Sequence, residues 1–181
     1  KGAYWDTEIK HAQEDGMVNF PVFTTKHGTD INYLSCAHAL LKASPRIYPQ
    51  FATHNAHSLA TILMMAESED VTHYEFQRLH GMGEPLYGAA EKGGNVRVYA
   101  PVGAHKDLLP YLVRRLLENG ANTSFVHSFL DPDVPVEAVV DDPIAKVEAG
   151  PRRHPRIPTP PRLYGPMRKN SIGVDLSQAS E

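Results

Sequence analysis

The chain has 181 residues, enough for one ordinary domain with a buried core but too few for two large ones. Hydrophobic residues make up 41% and charged residues 22%, which excludes a wholly disordered chain. With 18 basic and 21 acidic residues the net charge is −3, so nucleic acid is not an expected partner. The lone cysteine, Cys36, excludes an internal disulfide and a cysteine-based zinc site.

The predicted elements alternate between short β-rich runs and longer helical patterns over residues 1–149. One strand is predicted to end within 2–5, and four more strands are predicted at 21–25, 47–52, 73–79 and 96–101. Helices are predicted at 6–15, 30 to about 43, 56–67, a short stretch after the turn at 81–85, 105–119, from about 122, and 135–148. Strands alternating with helices favour an α/β fold whose parallel sheet is joined by crossover helices.

Residues 150–181 differ in character from the rest of the chain. Six of the 15 prolines lie between Pro151 and Pro166. Proline at this density excludes helix and sheet interiors. We therefore expect two regions, an α/β region at 1–149 and an extended connector at 150–181 that leads toward a following domain. The single cysteine makes a reducing compartment the expected context. The start at Lys1 carries no leader sequence and is typical of the end of a strand, so we expect the chain to be a fragment.

Polar residues follow each predicted strand. They are Thr24-Thr25-Lys26, then Thr53-His54-Asn55, then the stretch 77–80, with Tyr99 near the end of the last strand. Polar groups at the carboxyl ends of successive parallel strands are typical of the active-site face of a (β/α)8 barrel or a doubly wound sheet. A solvated loop is the alternative at each position, so the repetition carries the prediction.

Two other kinds of site receive less support from the sequence. Gly81-Met82-Gly83 lacks the third glycine of a dinucleotide-binding turn, which disfavours a Rossmann site. Three histidines, His54, His57 and His80, would suit a metal-dependent hydrolase or aldolase. No carboxylate stands beside them in a recognised ligand motif, so we expect no metal and keep this enzyme class as the alternative.

Arg114 and Arg115 interrupt a strongly apolar stretch of a predicted helix. Adjacent arginines on a helix are commonly a solvated face. Two guanidinium groups can also clamp one carboxylate through paired hydrogen bonds, which lysines do less well. The sequence leaves these two interpretations open.

The longest motifs of the chain resemble the proline dehydrogenase domain of the bifunctional flavoenzymes of the proline utilisation A family. They are KGAYW at 1–5, QFATHNAH at 50–57, LHGMGEPLY at 79–87, VYAPVG at 98–103 and YLVRRLLENGANTSFV at 111–126. LYG at 163–165 and NSIGVDL at 170–176 resemble the family's segment that leads to its aldehyde dehydrogenase domain. The resemblance therefore covers nearly the whole chain.

This resemblance implies the second half of a distorted (β/α)8 barrel that binds FAD without a Rossmann motif. It implies oxidation of L-proline to 1-pyrroline-5-carboxylate, with electrons passed to a quinone, as the first step of a bifunctional conversion of proline to glutamate. It further implies a homo-oligomer in the cytoplasm, with peripheral contact to the inner membrane as an option. The upstream barrel strands of the family have no counterpart in the chain, so a non-catalytic fragment is a second alternative.

The resemblance also assigns roles to single residues. Arg114 and Arg115 would pair with the proline carboxylate, Tyr99 and Leu79 would pack on the pyrrolidine ring, and Tyr4 would help close the pocket. The implied flavin contacts are Lys1, Gly2, Ala3, Trp5, Thr25, Lys26, Thr53, His54, Asn55, Gln77 and Glu118.

Overall fold

A computed structural model describes residues 4–89, 94–120 and 131–173. Its helices are α1 (Trp5–Glu14), α2 (Lys26–Lys42), α3 (Ala56–Ser68), α4 (Glu84–Ala89), α5 (His105–Gly120), α6 (Val136–Val139) and α7 (Pro143–Ala149). Its strands are β1 (Gln50–Ala52), β2 (Glu75–Leu79) and β3 (Asn95–Tyr99), and a 3-10 turn spans Pro160–Arg162. The chain divides into two compact units, residues 1–30 with 142–181, and residues 31–141.

The second unit is built on a parallel sheet with the strand order β1-β2-β3. Phe51 of β1 pairs with Phe76 of β2, and Leu79 of β2 pairs with Tyr99 of β3. Helix α3 connects β1 to β2, and α4 lies between β2 and β3 in the chain. The predicted α/β class with a parallel sheet is confirmed.

The core of this unit lies between the sheet and the helices. It consists of Ala37 and Leu41 of α2, Leu59, Ile62 and Ala66 of α3, Tyr87 of α4, and Phe51, Tyr74 and Phe76 of the sheet region. Side chains alternate between the two faces of a strand. Phe76 therefore faces the helices, while Glu75 and Gln77 lie on the opposite face of β2.

The first unit joins α1 to the proline-rich segment. Asn170 Nδ2 donates to the Gln13 carbonyl at 2.7 Å, and Gln13 Nε2 donates to the Pro158 carbonyl at 3.1 Å. Gly16 has a φ of +66°, and the Gly173 amide donates to its carbonyl at 3.0 Å. Described residues 150–173 form no element beyond the 3-10 turn, as the proline density predicts.

Two strand predictions are wrong. Residues 21–25 are not a strand, because the Phe23 carbonyl accepts from the Trp5 indole and the Thr24 hydroxyl accepts from the His154 amide. Trp5 begins α1 instead of ending a strand.

Helix α2 begins at Lys26 rather than at Asp30, which lies one turn inside and accepts from Lys26 Nζ at 2.6 Å. The helix predicted at 135–148 is two helices, because Asp142 caps a new one by accepting from the Ile144 amide at 2.8 Å. The remaining helices and strands are confirmed with shifted ends, except that the segment from 122 lies outside the described residues. No helix in the described ranges is long and apolar enough to cross a membrane.

Candidate active site

The carboxyl ends of the three parallel strands meet at one edge of the sheet. Thr53-His54-Asn55 follow β1, Leu79 is the last residue of β2, and Tyr99 is the last residue of β3. The His80 amide donates to the Tyr99 carbonyl at 2.8 Å, so the ends of β2 and β3 are joined directly. The second unit thus brings together at this edge several side chains that the sequence indicated separately.

Tyr87 joins the ends of β1 and β2. Its hydroxyl donates to the Thr53 carbonyl at 2.6 Å and lies 3.4 Å from the Gln77 carbonyl. Burial, followed by the neighbouring Tyr33 hydroxyl, raises the pKa of Tyr87 to about 12. The hydroxyl therefore stays protonated near neutral pH and remains a donor.

His54 is the polar residue of this edge with the most unusual surroundings. Its Nε2 atom is buried and has no hydrogen-bond partner within the part of the chain that the structure describes. Burial, reinforced by the charge of Arg78, lowers the pKa of His54, so its imidazole is neutral near pH 7. A buried polar atom without a partner carries a free-energy cost. This nitrogen therefore fits a bound polar group.

Gly83 sets the position of the His54 ring. Gly83 has a φ of +71°, a conformation that favours glycine. A Cβ at this position would lie 2.9 Å from His54 Cδ2, too close for an ordinary contact. The loop between β2 and α4 therefore packs its backbone directly on the imidazole.

The amino end of α3 lies at the same edge. Asn55 is its N-cap, and its Oδ1 accepts from the Ser58 amide at 3.2 Å. The Thr53 hydroxyl accepts from the Asn55 amide at 3.1 Å. The first turn of α3 contains no acidic residue, so its unsatisfied amides can favour an anion.

The predicted substrate residues of the second unit differ in exposure. Leu79 is buried, and Tyr99 is half-buried at the end of β3. Arg114 and Arg115 are half-buried on α5, and the Arg115 guanidinium lies 5.3 Å from the centroid of the Tyr111 ring. The two arginines of α5 are therefore not fully solvated. Their role toward a carboxylate stays a prediction.

The first unit contains the other described candidates. Tyr4 is exposed before α1, and the Trp5 indole donates to the Phe23 carbonyl at 2.8 Å. Thr25 and Lys26 stand at the amino end of α2, where Lys26 is paired with Asp30. Lys1, Gly2, Ala3 and the side chain of Glu118 lie outside the described residues.

Sequence reasoning missed Glu75 and Arg97, which form an ion pair beside Gln77 in which the carboxylate is buried and the arginine side chain is exposed. A signal was present, since Glu75 stands between two aromatic residues and Arg97 stands between two valines. A charged residue inside an apolar strand is costly to bury without a partner, so two such residues on neighbouring strands predict a pair.

The described residues offer no grouping of three or more His, Cys, Asp or Glu side chains that could hold a metal ion. His54, His57 and His80 are all among those residues. The described part of the structure does not group these three histidines as ligands of one metal ion.

Comparison with known proteins reveals close relatives over nearly the whole chain. The bifunctional protein PutA of Escherichia coli (strain K12) is 53% identical over 98% of this chain and 14% of its own length. The bifunctional protein PutA of Rhizobium meliloti is 52% identical over 98% of this chain and 15% of its own length. A solved structure of a Bradyrhizobium japonicum proline utilization A variant gives a TM-score of 0.89 at 57% identity, covering 96% of this chain and 18% of that one.

The chain thus spans about one seventh of the length of the curated relatives named above. The family model described as proline dehydrogenase matches residues 1–128. The fold, the polar sheet edge and these matches define an α/β domain of an oxidoreductase family. The chain belongs to the proline dehydrogenase family, which confirms the resemblance drawn from its motifs.

Proposed function

We propose that this chain supplies the second half of a (β/α)8 barrel in which FAD oxidises L-proline to 1-pyrroline-5-carboxylate. The observation that carries the proposal is the sheet edge, where His54, Leu79 and Tyr99 come together from three successive strands. Membership of the proline dehydrogenase family supports the reaction class.

The His54 region fits a flavin cofactor. Its partnerless buried Nε2, the acid-free start of α3 and the close approach of Gly83 form a polar region suited to phosphate or ribityl oxygens. Thr53 and Asn55 would add polar contacts there, and Gln77 would face the flavin ring. Thr25 and Lys26 carry matching chemistry at the amino end of α2, and they remain proposed flavin contacts together with Trp5.

The substrate residues would orient proline rather than transform it. Bound FAD would accept the hydride from the ring carbon beside nitrogen. Arg114 and Arg115 would anchor the carboxylate through paired hydrogen bonds, while Tyr99 and Leu79 would hold the ring against the cofactor. Tyr4 would help to close the pocket. The main contribution of the protein is therefore binding and alignment.

The wider assignment extends to the complete protein. We propose that electrons leave the flavin for a quinone, and that an aldehyde dehydrogenase domain in the same polypeptide completes the conversion of proline to glutamate. We further propose a cytoplasmic homo-oligomer with peripheral contact to the inner membrane. Relatives described as bifunctional support the second domain.

The experiment compares the complete wild-type protein with His54→Ala. The wild type should show flavin absorbance in the visible range, lose it on denaturation, and bleach when proline is added without an electron acceptor. His54→Ala should retain less FAD after extensive dialysis. Colourless wild-type protein that binds no added FAD would overturn the proposal.

His57→Ala is the matched control. His57 is also half-buried and lies on the first turn of α3, three residues after His54. The flavin proposal predicts that His57→Ala retains FAD as the wild type does. A bound metal that is lost from both variants, with no flavin in either, would favour the metal-dependent alternative.

A further inference from the structure

Five hydrogen bonds converge on the Glu75 carboxylate. Arg97 donates from Nε to Oε1 at 2.5 Å and from Nη2 to Oε2 at 2.8 Å. Oε1 also accepts from Gln50 Nε2 at 2.7 Å and from Gln77 Nε2 at 3.1 Å. The Tyr48 hydroxyl donates to Oε2 at 3.3 Å. Glu75 is only 3% exposed, so nearly all of its interactions are with protein groups.

The strand register explains why these groups meet. Gln50 lies opposite Glu75 on β1, and Arg97 lies opposite Gln77 on β3. Glu75, Gln77 and Leu79 alternate along β2, so they share the face turned away from the helical core. The network therefore occupies the same face of the sheet as the residues proposed to meet flavin and substrate.

The carboxylate determines which way the Gln77 amide points. The Arg97 guanidinium, helped by Gln77 and Gln50, lowers the pKa of Glu75 to about 2, so the group is ionised and can only accept hydrogen bonds. The amide nitrogen of Gln77 must then face Glu75. Its carbonyl oxygen and second N–H are left to meet another group in a single, fixed arrangement.

We propose that Glu75 is a positioning residue of the flavin site, which holds the Gln77 amide and the Arg97 guanidinium in the orientation that the flavin ring requires. This inference rests on the proposed function. A flavin ring edge carries both N–H and carbonyl groups, so an amide held in one orientation matches it, whereas a freely turning amide must lose rotational freedom on binding.

Glu75→Gln in the complete protein tests the inference. The variant keeps the shape of the Glu75 side chain but replaces one carboxylate oxygen with an NH2 group that faces hydrogen-bond donors. The Gln77 amide must then rotate or lose its hydrogen bond to residue 75. We expect FAD to bind about tenfold more weakly and the visible flavin spectrum to shift. Glu69→Gln is the matched control, since it removes a carboxylate that accepts from His38 at 2.7 Å outside this network. It should leave affinity and spectrum unchanged.

A double-mutant cycle separates positioning from general stabilisation. If Glu75 acts through Gln77, Glu75→Gln should change flavin affinity much less in a Gln77→Met background than alone. Arg97→Lys keeps the positive charge but cannot make the paired hydrogen bonds to Glu75. It should therefore shift the flavin spectrum as well, and it provides the test if Glu75→Gln does not fold. Wild-type affinity and spectrum in Arg97→Lys, or in a folded Glu75→Gln, overturn the inference alone. A wild-type protein that binds no flavin overturns the proposed function as well.

Discussion

The two faces of β2 carry opposite kinds of side chain. Phe76 is buried in an aromatic cluster, with ring centroids 6.1 Å from Phe51, 5.8 Å from Tyr74 and 6.0 Å from Tyr87. On the other face, Glu75 and its partners form a polar network beside the proposed site. One strand can therefore stabilise the fold through one face and orient polar groups for ligand binding through the other. Substitutions on the two faces should have separable effects.

The largest expected effect comes from the apolar face. Phe76→Ala removes a 2% exposed ring and leaves a cavity, which should lower the free energy of unfolding by about 3–5 kcal/mol. Denaturant unfolding followed by circular dichroism measures this loss. The molecules that remain folded should show the wild-type flavin spectrum.

Val102→Ala is the control for Phe76→Ala. Val102 is 96% exposed, so its truncation should change stability by no more than about 0.5 kcal/mol. Equal effects of the two variants, or a changed flavin spectrum in folded Phe76→Ala, would contradict the separation of the two faces.

The arginine pair of α5 should affect catalysis more than stability. Replacing Arg114 or Arg115 with Met removes a charge-assisted hydrogen bond to the proposed carboxylate, worth roughly 1.5–3 kcal/mol. We expect about a tenfold to hundredfold lower kcat/KM for proline, with partial recovery in the Lys variants. Steady-state kinetics on the flavin-loaded protein measure this, with the exposed Arg46→Met as the control.

A carboxylate-bearing competitive inhibitor sharpens the test of the arginine pair. Its affinity should fall in parallel with kcat/KM, while a neutral analogue should be little affected. Wild-type kinetics in both Arg114→Met and Arg115→Met would mean that the pair has no role toward substrate.

Much of the second unit is predictable from local sequence. The three strands of its sheet and the helix after β1 are clear because apolar runs, an Asn cap and turn glycines agree with one another. The predicted strand at 21–25 is wrong although its apolar pattern suits a strand. The Phe23 carbonyl and the Thr24 hydroxyl bond to Trp5 and His154 instead of to a neighbouring strand. Pairing partners of this kind are distant in sequence, and periodicity contains no information about them.

The candidate site is predictable in part for the same reason. The position of His54 follows from its place just after a strand and that of Tyr99 from its place at the end of one, and both are local properties. The link between Glu75 and Arg97 depends on the register between β2 and β3, which only the folded sheet defines. The close approach of Gly83 to His54 depends on a backbone conformation that the glycine permits but does not dictate.

The polar face should be recognisable by its acid response. The pKa of Glu75 is lowered from its ordinary value of 4.5 to about 2, so its ionised form contributes stability above pH 4.5 that is lost as the pH falls toward 2. The melting temperature of Glu75→Gln should therefore fall less steeply than that of the wild type across this range. Exposed Glu137→Gln controls for the chemical change. Parallel melting profiles for wild type and Glu75→Gln would contradict the ionised network.

Tyr87 belongs to both regions, because its ring packs on Phe76 and its hydroxyl reaches the strand ends. Tyr87→Phe keeps the ring and leaves the Thr53 carbonyl without that donor. We expect a loss of about 1 kcal/mol in the free energy of unfolding, the typical net value of one buried hydrogen bond. Tyr87→Leu also removes aromatic packing and should cost more.

Because Thr53 precedes His54, the Tyr87→Phe variant should also weaken FAD retention slightly, whereas Phe76→Ala should not alter retention by folded molecules. Denaturant titration and dialysis measure the two effects, and a Phe variant with wild-type stability would show that this hydroxyl does not hold the two strand ends together.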